Sequence, residues 1–164
     1  DMSKGPMTIE MWIKPHARLM PGGDGVLVGR MERGNAKDVF NIHLRRDGTR
    51  IGFSMVPEEG KAVWLNTQHS PREANNIAPF VWSHLVSVWD GKELRFYLNG
   101  RPHGKPVPFA GPLKKTDAQL HIGRPPGGGA FRGVIDDVSV YRSALSPQLI
   151  RGRFLQGLRQ SSTP

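Results

Sequence analysis

VWSHLVSVWDGKELRFYLNG, residues 81–100, decides the fold. Residues 81–89 and 93–98 alternate apolar with polar side chains, the period of a half-buried strand. Asp90-Gly91 separates the two runs and Asn99-Gly100 closes the second. Both dipeptides tolerate the positive φ that tight turns between antiparallel strands require. This block predicts two strands, with Asn99-Gly100 as the turn that ends the second.

The same grammar extends in both directions. Upstream, Met7, Ile9, Met11 and Ile13 alternate with Thr8, Glu10, Trp12 and Lys14. Further strands are expected at residues 26–28, 39–44, 50–55 and 62–65, with Asp47-Gly48 and Glu59-Gly60 as turns. Downstream, residues 120–122 and 134–141 supply two more. Residues 66–80 form a long polar excursion, and loops of that length are often functional. From Ser146 the pattern changes: Ser146 as N-cap, Pro147 at the first helical position, then Leu149, Ile150 and Phe154 at helical spacing. The expectation is an all-β chain with a short amphipathic C-terminal helix. It forms one domain over residues 1–164, with its core in 7–150 and its helix and tail in 146–164.

Composition agrees. The 164 residues contain Gly 20 and Pro 14, a surplus of turn formers over average usage that argues against a helical bundle. There is no apolar run of the roughly 18 residues that would span a bilayer. Cys is absent, which removes disulfides, thiolate metal sites and cysteine nucleophiles together. Net charge is +9, concentrated in the second half, and favours polyanions as partners. Aromatic stacking strands interleaved with basic residues are not evident, so no specific nucleic-acid binding is expected.

Catalytic signatures are missing: no G-x-S-x-G, no H-E-x-x-H, no P-loop, no G-x-G-x-x-G. Gly127-Gly128-Gly129 is followed by a strand, so no helix N-terminus receives an anion there. Asp136-Asp137 lies inside an apolar strand, and alternation sends the two carboxylates to opposite faces. One of them is therefore expected inward, against an arginine, backbone N–H groups or a hard cation such as Ca²⁺.

Taken in order, residues 8–15, 82–91, 94–100, 120–124, 131–141 and 144–146 resemble the laminin-G-like, concanavalin A-like jelly roll of the pentraxin and bacterial laminin-G type. The resemblance covers roughly residues 7–150. It implies two antiparallel sheets packed as a β-sandwich, with ligands on the concave face or at loop rims. It also implies a module for carbohydrate binding or adhesion in a larger extracellular, periplasmic or cell-surface protein rather than an enzyme, because the E-x-D-x-x-E strand of the glucanase relatives is absent. Asp136 matches the aspartate with which those relatives hold one structural Ca²⁺, its shell completed by carbonyls near Gly25 or the N-terminus. The paired-calcium site of pentraxins has no traceable counterpart. Relatives also carry an extra strand before the one at Thr8, so either the last strand is expected to be incompletely covered or the parent protein to be longer.

Trp64, Asn66 and His69 border the long loop and are the expected ligand-binding residues, since an exposed ring beside amides suits a sugar's C–H face and hydroxyls. Loops at residues 21–37, 66–80 and 125–130 are expected to grip it. The expected partner is a glycan or polyanionic polysaccharide, with packing against neighbouring protein domains as the alternative. Trp12, Trp82 and Trp89 are expected to pack, His84 to be a hydrogen-bonded structural residue, and Phe154 to dock the helix with its arginines in solvent.

Overall fold

The computed structural model describes residues 5–16, 23–31, 39–67, 76–124 and 129–161. Among these residues, eleven strands and one helix follow in chain order: β1 Met7–Pro15, β2 Gly25–Arg30, β3 Phe40–Leu44, β4 Ile51–Met55, β5 Val63–Asn66, β6 Ser83–Trp89, β7 Glu93–Leu98, β8 Arg101–Pro102, β9 Val107–Pro108, β10 Leu120–Ile122, β11 Gly133–Tyr141 and α1 Pro147–Ser161. They build a six-stranded sheet, β11-β1-β6-β7-β8 with β9 also on β7, and a five-stranded sheet, β10-β2-β3-β4-β5. All strand pairings are antiparallel. β11 lies at the border of its sheet, and among the described residues no strand covers its outer edge.

The period-two pattern sets the core. Met7, Ile9, Met11 and Ile13 meet Phe40, Ile42, Leu44, Phe53 and Leu65 between the sheets, as inward faces of a sandwich do. Trp89 seals one end. Its indole N–H donates to the Phe109 carbonyl (3.3 Å), and the two rings meet edge to face at 5.4 Å.

The turns differ in detail. Leu98 pairs with Arg101, leaving Asn99 (φ 51°) and Gly100 (φ 71°) as a two-residue loop. Two successive positive φ values are why Asn-Gly stands here. Asp90 acts one position earlier than expected: its Oδ1 accepts from the Lys92 and Glu93 amides, and Gly91-Lys92 is the loop. At Asp47-Gly48, the expected tight hairpin is a wider loop closed by Arg45 N–H on the Arg50 carbonyl (2.8 Å). Asp47 braces it from within through Thr49 and Arg50.

α1 starts as the sequence predicts, with Ser146 Oγ accepting from the Leu149 amide (3.2 Å). It lies on the outer face of the six-stranded sheet, where Ile150 and Leu145 pack on Val86, Val88 and Tyr97. Phe154 stacks on Trp12 (5.9 Å) and His84 (6.0 Å). Alternation alone would leave Thr8 and Glu10 in water; the region around α1 buries both. Trp12 packs, but outside the sandwich core and beneath the helix.

Two helical glycines make opposite predictions. A β-carbon at Gly157 would collide with the Trp12 ring, whereas Gly152 has open space. Gly→Ala in an exposed helix gains about 1 kcal/mol, and overpacking a tight contact costs about 1–3 kcal/mol. Gly152→Ala is expected to raise the melting temperature by a few degrees and Gly157→Ala to lower it. Equal shifts in one direction would mean that α1 does not dock on Trp12.

Candidate functional site

The outer face of the five-stranded sheet is set by register. One cross-strand row runs His121–Gly29–Asn41–Ser54–Trp64. The next runs His43–Gly52–Asn66. This face is polar and amide-bearing, and Gly52 leaves it low where the His43 ring needs room.

Trp64 stands at its edge on β5 with 48% of its surface exposed. Its ring meets His43 edge-on at 5.9 Å. Asn66, two residues on, is exposed on the same face. The structure thus brings together two of the three residues expected to bind ligand. His69 lies outside the described residues, as do much of the loops at 21–37, 66–80 and 125–130.

His43 was not anticipated. It is only 2% exposed and lies over Gly52, where any β-carbon would strike its ring. Asp24 Oδ2 is 3.5 Å from its Nε2, an electrostatic neighbour rather than a hydrogen-bond partner. Neither ring nitrogen has a hydrogen-bond partner among the described residues, and the same holds for Asn41 Oδ1, two residues earlier on β3. Burial pulls the imidazole below its usual pKa, against the opposing pull of Asp24. Orphaned buried polar atoms are rare and mark places where something else supplies the bond. The period-two pattern places Asn41 and His43 on one face, but nothing local marks them as buried.

The opposite sheet holds a second polar group. Glu10, 4% exposed, accepts from His84 Nε2 (2.8 Å), Tyr141 Oη–H (2.9 Å) and Arg153 Nε, the last shared between its two oxygens (2.9 and 2.7 Å). His84 is therefore the hydrogen-bonded residue that was expected. Arg153 is not the solvent-facing arginine that was expected: it turns inward from α1, while Arg151 and Arg159 stay exposed. Burial resists ionisation of Glu10, but the bonds from His84, Arg153 and Tyr141 outweigh it and hold the carboxyl below its usual pKa.

Asp136 and Asp137 overturn the expectation of an inward carboxylate, for both are exposed. Trp12 pairs with Asp136 and Glu10 with Ser139, so two residues of β11, Asp137 and Val138, oppose Met11 alone. This is a β-bulge, and Asp137 sits in it at φ 50°. The extra residue resets the alternation and returns Ile135, Val138 and Val140 to the core. Asp136 Oδ1 accepts from the Asp137 amide (2.8 Å). The described residues contain no group of three His, Asp or Glu side chains able to share a metal ion. A calcium ion at Asp136 would therefore rest mainly on backbone carbonyls and water.

Comparison with known proteins agrees with this architecture. The family profile described as the concanavalin A-like lectin/glucanases superfamily matches residues 1–151. Adhesion G-protein coupled receptor V1 of Danio rerio is 26% identical over 143 residues, 85% of this chain but 2% of the receptor. Among solved structures, the binding domain of Paraclostridial Mosquitocidal Protein 1 superposes with a TM-score of 0.70 at 17% identity, over 94% of this chain and 38% of that one. The botulinum neurotoxin serotype G binding domain gives 0.65 at 12% identity, over 96% and 37%. At these identities the two structures speak for the fold alone. The chain spans a small part of the receptor and less than two-fifths of either toxin chain.

Proposed function

Because the chain belongs to the concanavalin A-like lectin/glucanase superfamily, we propose that it is a non-catalytic, glycan-binding module of a larger extracytoplasmic protein. The observation that carries this reading is the half-exposed Trp64 ring with Asn66 beside it on one sheet face. A sugar laid there would place its C–H face on the indole and its hydroxyls at the Asn66 amide. Gly52 leaves room on the same face for the buried His43 ring, against whose edge Trp64 stands. The net charge of +9 would speed encounter with acidic polysaccharides without selecting among them. The receptor relative is an adhesion protein by name, in keeping with a binding role.

The test is retention on neutral and sulfated polysaccharides, with calcium or chelator, at low and high salt. Salt-resistant retention on a neutral glycan is expected. Trp64→Ala is expected to weaken it by about 2 kcal/mol, the usual loss of an aromatic anchor, or roughly thirtyfold. Retention only on sulfated material and lost at high salt would reduce the interaction to charge. No retention under any condition would overturn the glycan reading in favour of a spacer that packs against neighbouring domains. A chelator effect that Asp136→Asn reproduces would establish the calcium ion.

A further inference from the structure

On the far side of the sandwich from Trp64, a cavity of about 230 Å³ opens between α1, β1 and β11. Trp12 and Gly157 form its apolar side, and Glu10, Asp137, Arg153 and Gln156 bring polar groups to it. We infer that this cavity is a second sugar site, taking a single neutral, hydroxyl-rich ring. It shares a ligand class with the glycan reading above but none of its residues.

Three observations converge on it. First, the wall groups are planar and offer paired atoms. Arg153 gives Nε to Glu10 and lays its guanidinium over the Tyr141 ring at 5.2 Å, with its remaining edge at the cavity wall. The Asp137 carboxylate and the Gln156 amide are exposed at the same opening. Paired donors and acceptors on flat groups suit vicinal hydroxyls, while an indole wall suits the ring's C–H face.

Second, the charges discriminate. An anion entering the cavity meets Asp137 and Glu10, and a cation meets Arg153. Either sign is opposed by one wall, whereas a neutral polyol bonds to both. The chain's overall surplus of positive charge does not extend into this cavity.

Third, Asp137 is held at φ 50° in the β11 bulge, a conformation that favours glycine. Bulges re-aim side chains and recur beside sites, and backbone strain is retained where the strained group has a use. Here the bulge turns a carboxylate toward the cavity, where regular alternation would have given the position to another residue.

The experiment is an amide and indole NMR titration of the whole chain with methyl glycosides of galactose, mannose and N-acetylglucosamine. The wild type is compared with Asp137→Gly, Gln156→Ala and Trp64→Ala. Expected are shifts at the Trp12 indole and the Gly157 amide that survive Trp64→Ala and weaken about tenfold in Asp137→Gly and Gln156→Ala, each of which removes a hydrogen-bonding group. Asp137→Gly is expected to keep or raise the melting temperature, so its loss of binding would not be a loss of folding. Shifts confined to Trp64 and Asn66 would overturn the second site and leave the first standing. Shifts at Trp12 alone would do the reverse, and no shift with any glycoside would remove both.

Discussion

Glu10→Ala is expected to lower stability by about 3 kcal/mol, near the low end for removing one partner of a buried ion pair. The low end applies because the Arg153 side chain, 38% exposed, can turn to solvent once released. His84 cannot: it is fully buried, and its Nδ1 already lacks a partner. With Glu10 gone its Nε2–H is orphaned as well, and each buried unsatisfied group costs about 1–3 kcal/mol. The Tyr141 hydroxyl, whose pKa burial pushes up, keeps its proton and loses its acceptor. Glu10→Gln retains shape and an acceptor oxygen and is expected to cost about half as much. Urea midpoints read both changes, since a shift at constant slope reports stability. A loss below roughly 0.5 kcal/mol for Glu10→Ala, the range of ordinary surface changes, would mean that the network is not formed in solution.

Acid is expected to unfold the protein in two stages. Burial pulls His43 below its ordinary value of 6.5, so the unfolded chain takes up the proton first. That contribution is intact above about pH 6.5 and declines as the pH falls toward the folded value. Glu10, Asp47 and Asp90 are also lowered, from 4.5 for the first and 3.8 for the other two. In each case burial opposes the shift. For Glu10, side-chain bonds from His84, Arg153 and Tyr141 prevail; for Asp47 and Asp90, backbone amides and a nearby arginine do. A depressed carboxyl stabilises above its unfolded pKa and loses that contribution as the pH falls through its folded pKa, hence below about pH 4. Melting temperature should be level near neutrality, fall gently below about pH 6.5 and steeply below about pH 4. His43→Gln is expected to flatten the first decline only, and Glu10→Gln to soften the second. Stability that rises toward pH 5 would contradict the buried, neutral His43.

Most strands were legible because a sheet writes its faces into the chain two residues at a time. Met7, Ile9, Met11 and Ile13 point to one core whatever lies across from them. Asn99-Gly100 announces its turn because few other pairs accept two positive φ values. Ser146-Pro147 announces the helix by its cap. The candidate site was legible only as a pair of residues. Trp64 and Asn66 could be paired from i, i+2 spacing alone, since both stand on one strand.

The residues that escaped have partners far away in sequence. Glu10 reads as the polar side of an alternating strand until α1, more than 130 residues on, lies over it and delivers Arg153. Asp136-Asp137 reads as one carboxylate in and one out, because an extra residue in a strand shows only once its partner strand is paired and two residues face Met11. His43 and Asn41 look like ordinary outward residues until burial leaves their polar atoms without partners. By itself, then, the sequence determined most of the strand pattern, the Asn99-Gly100 turn, the helix start and hence the sandwich, because these follow from backbone preference and period. Which polar residues became buried, and which were brought together on a sheet face or beneath the helix, only the tertiary structure decided, because burial and pairing belong to contacts between distant segments.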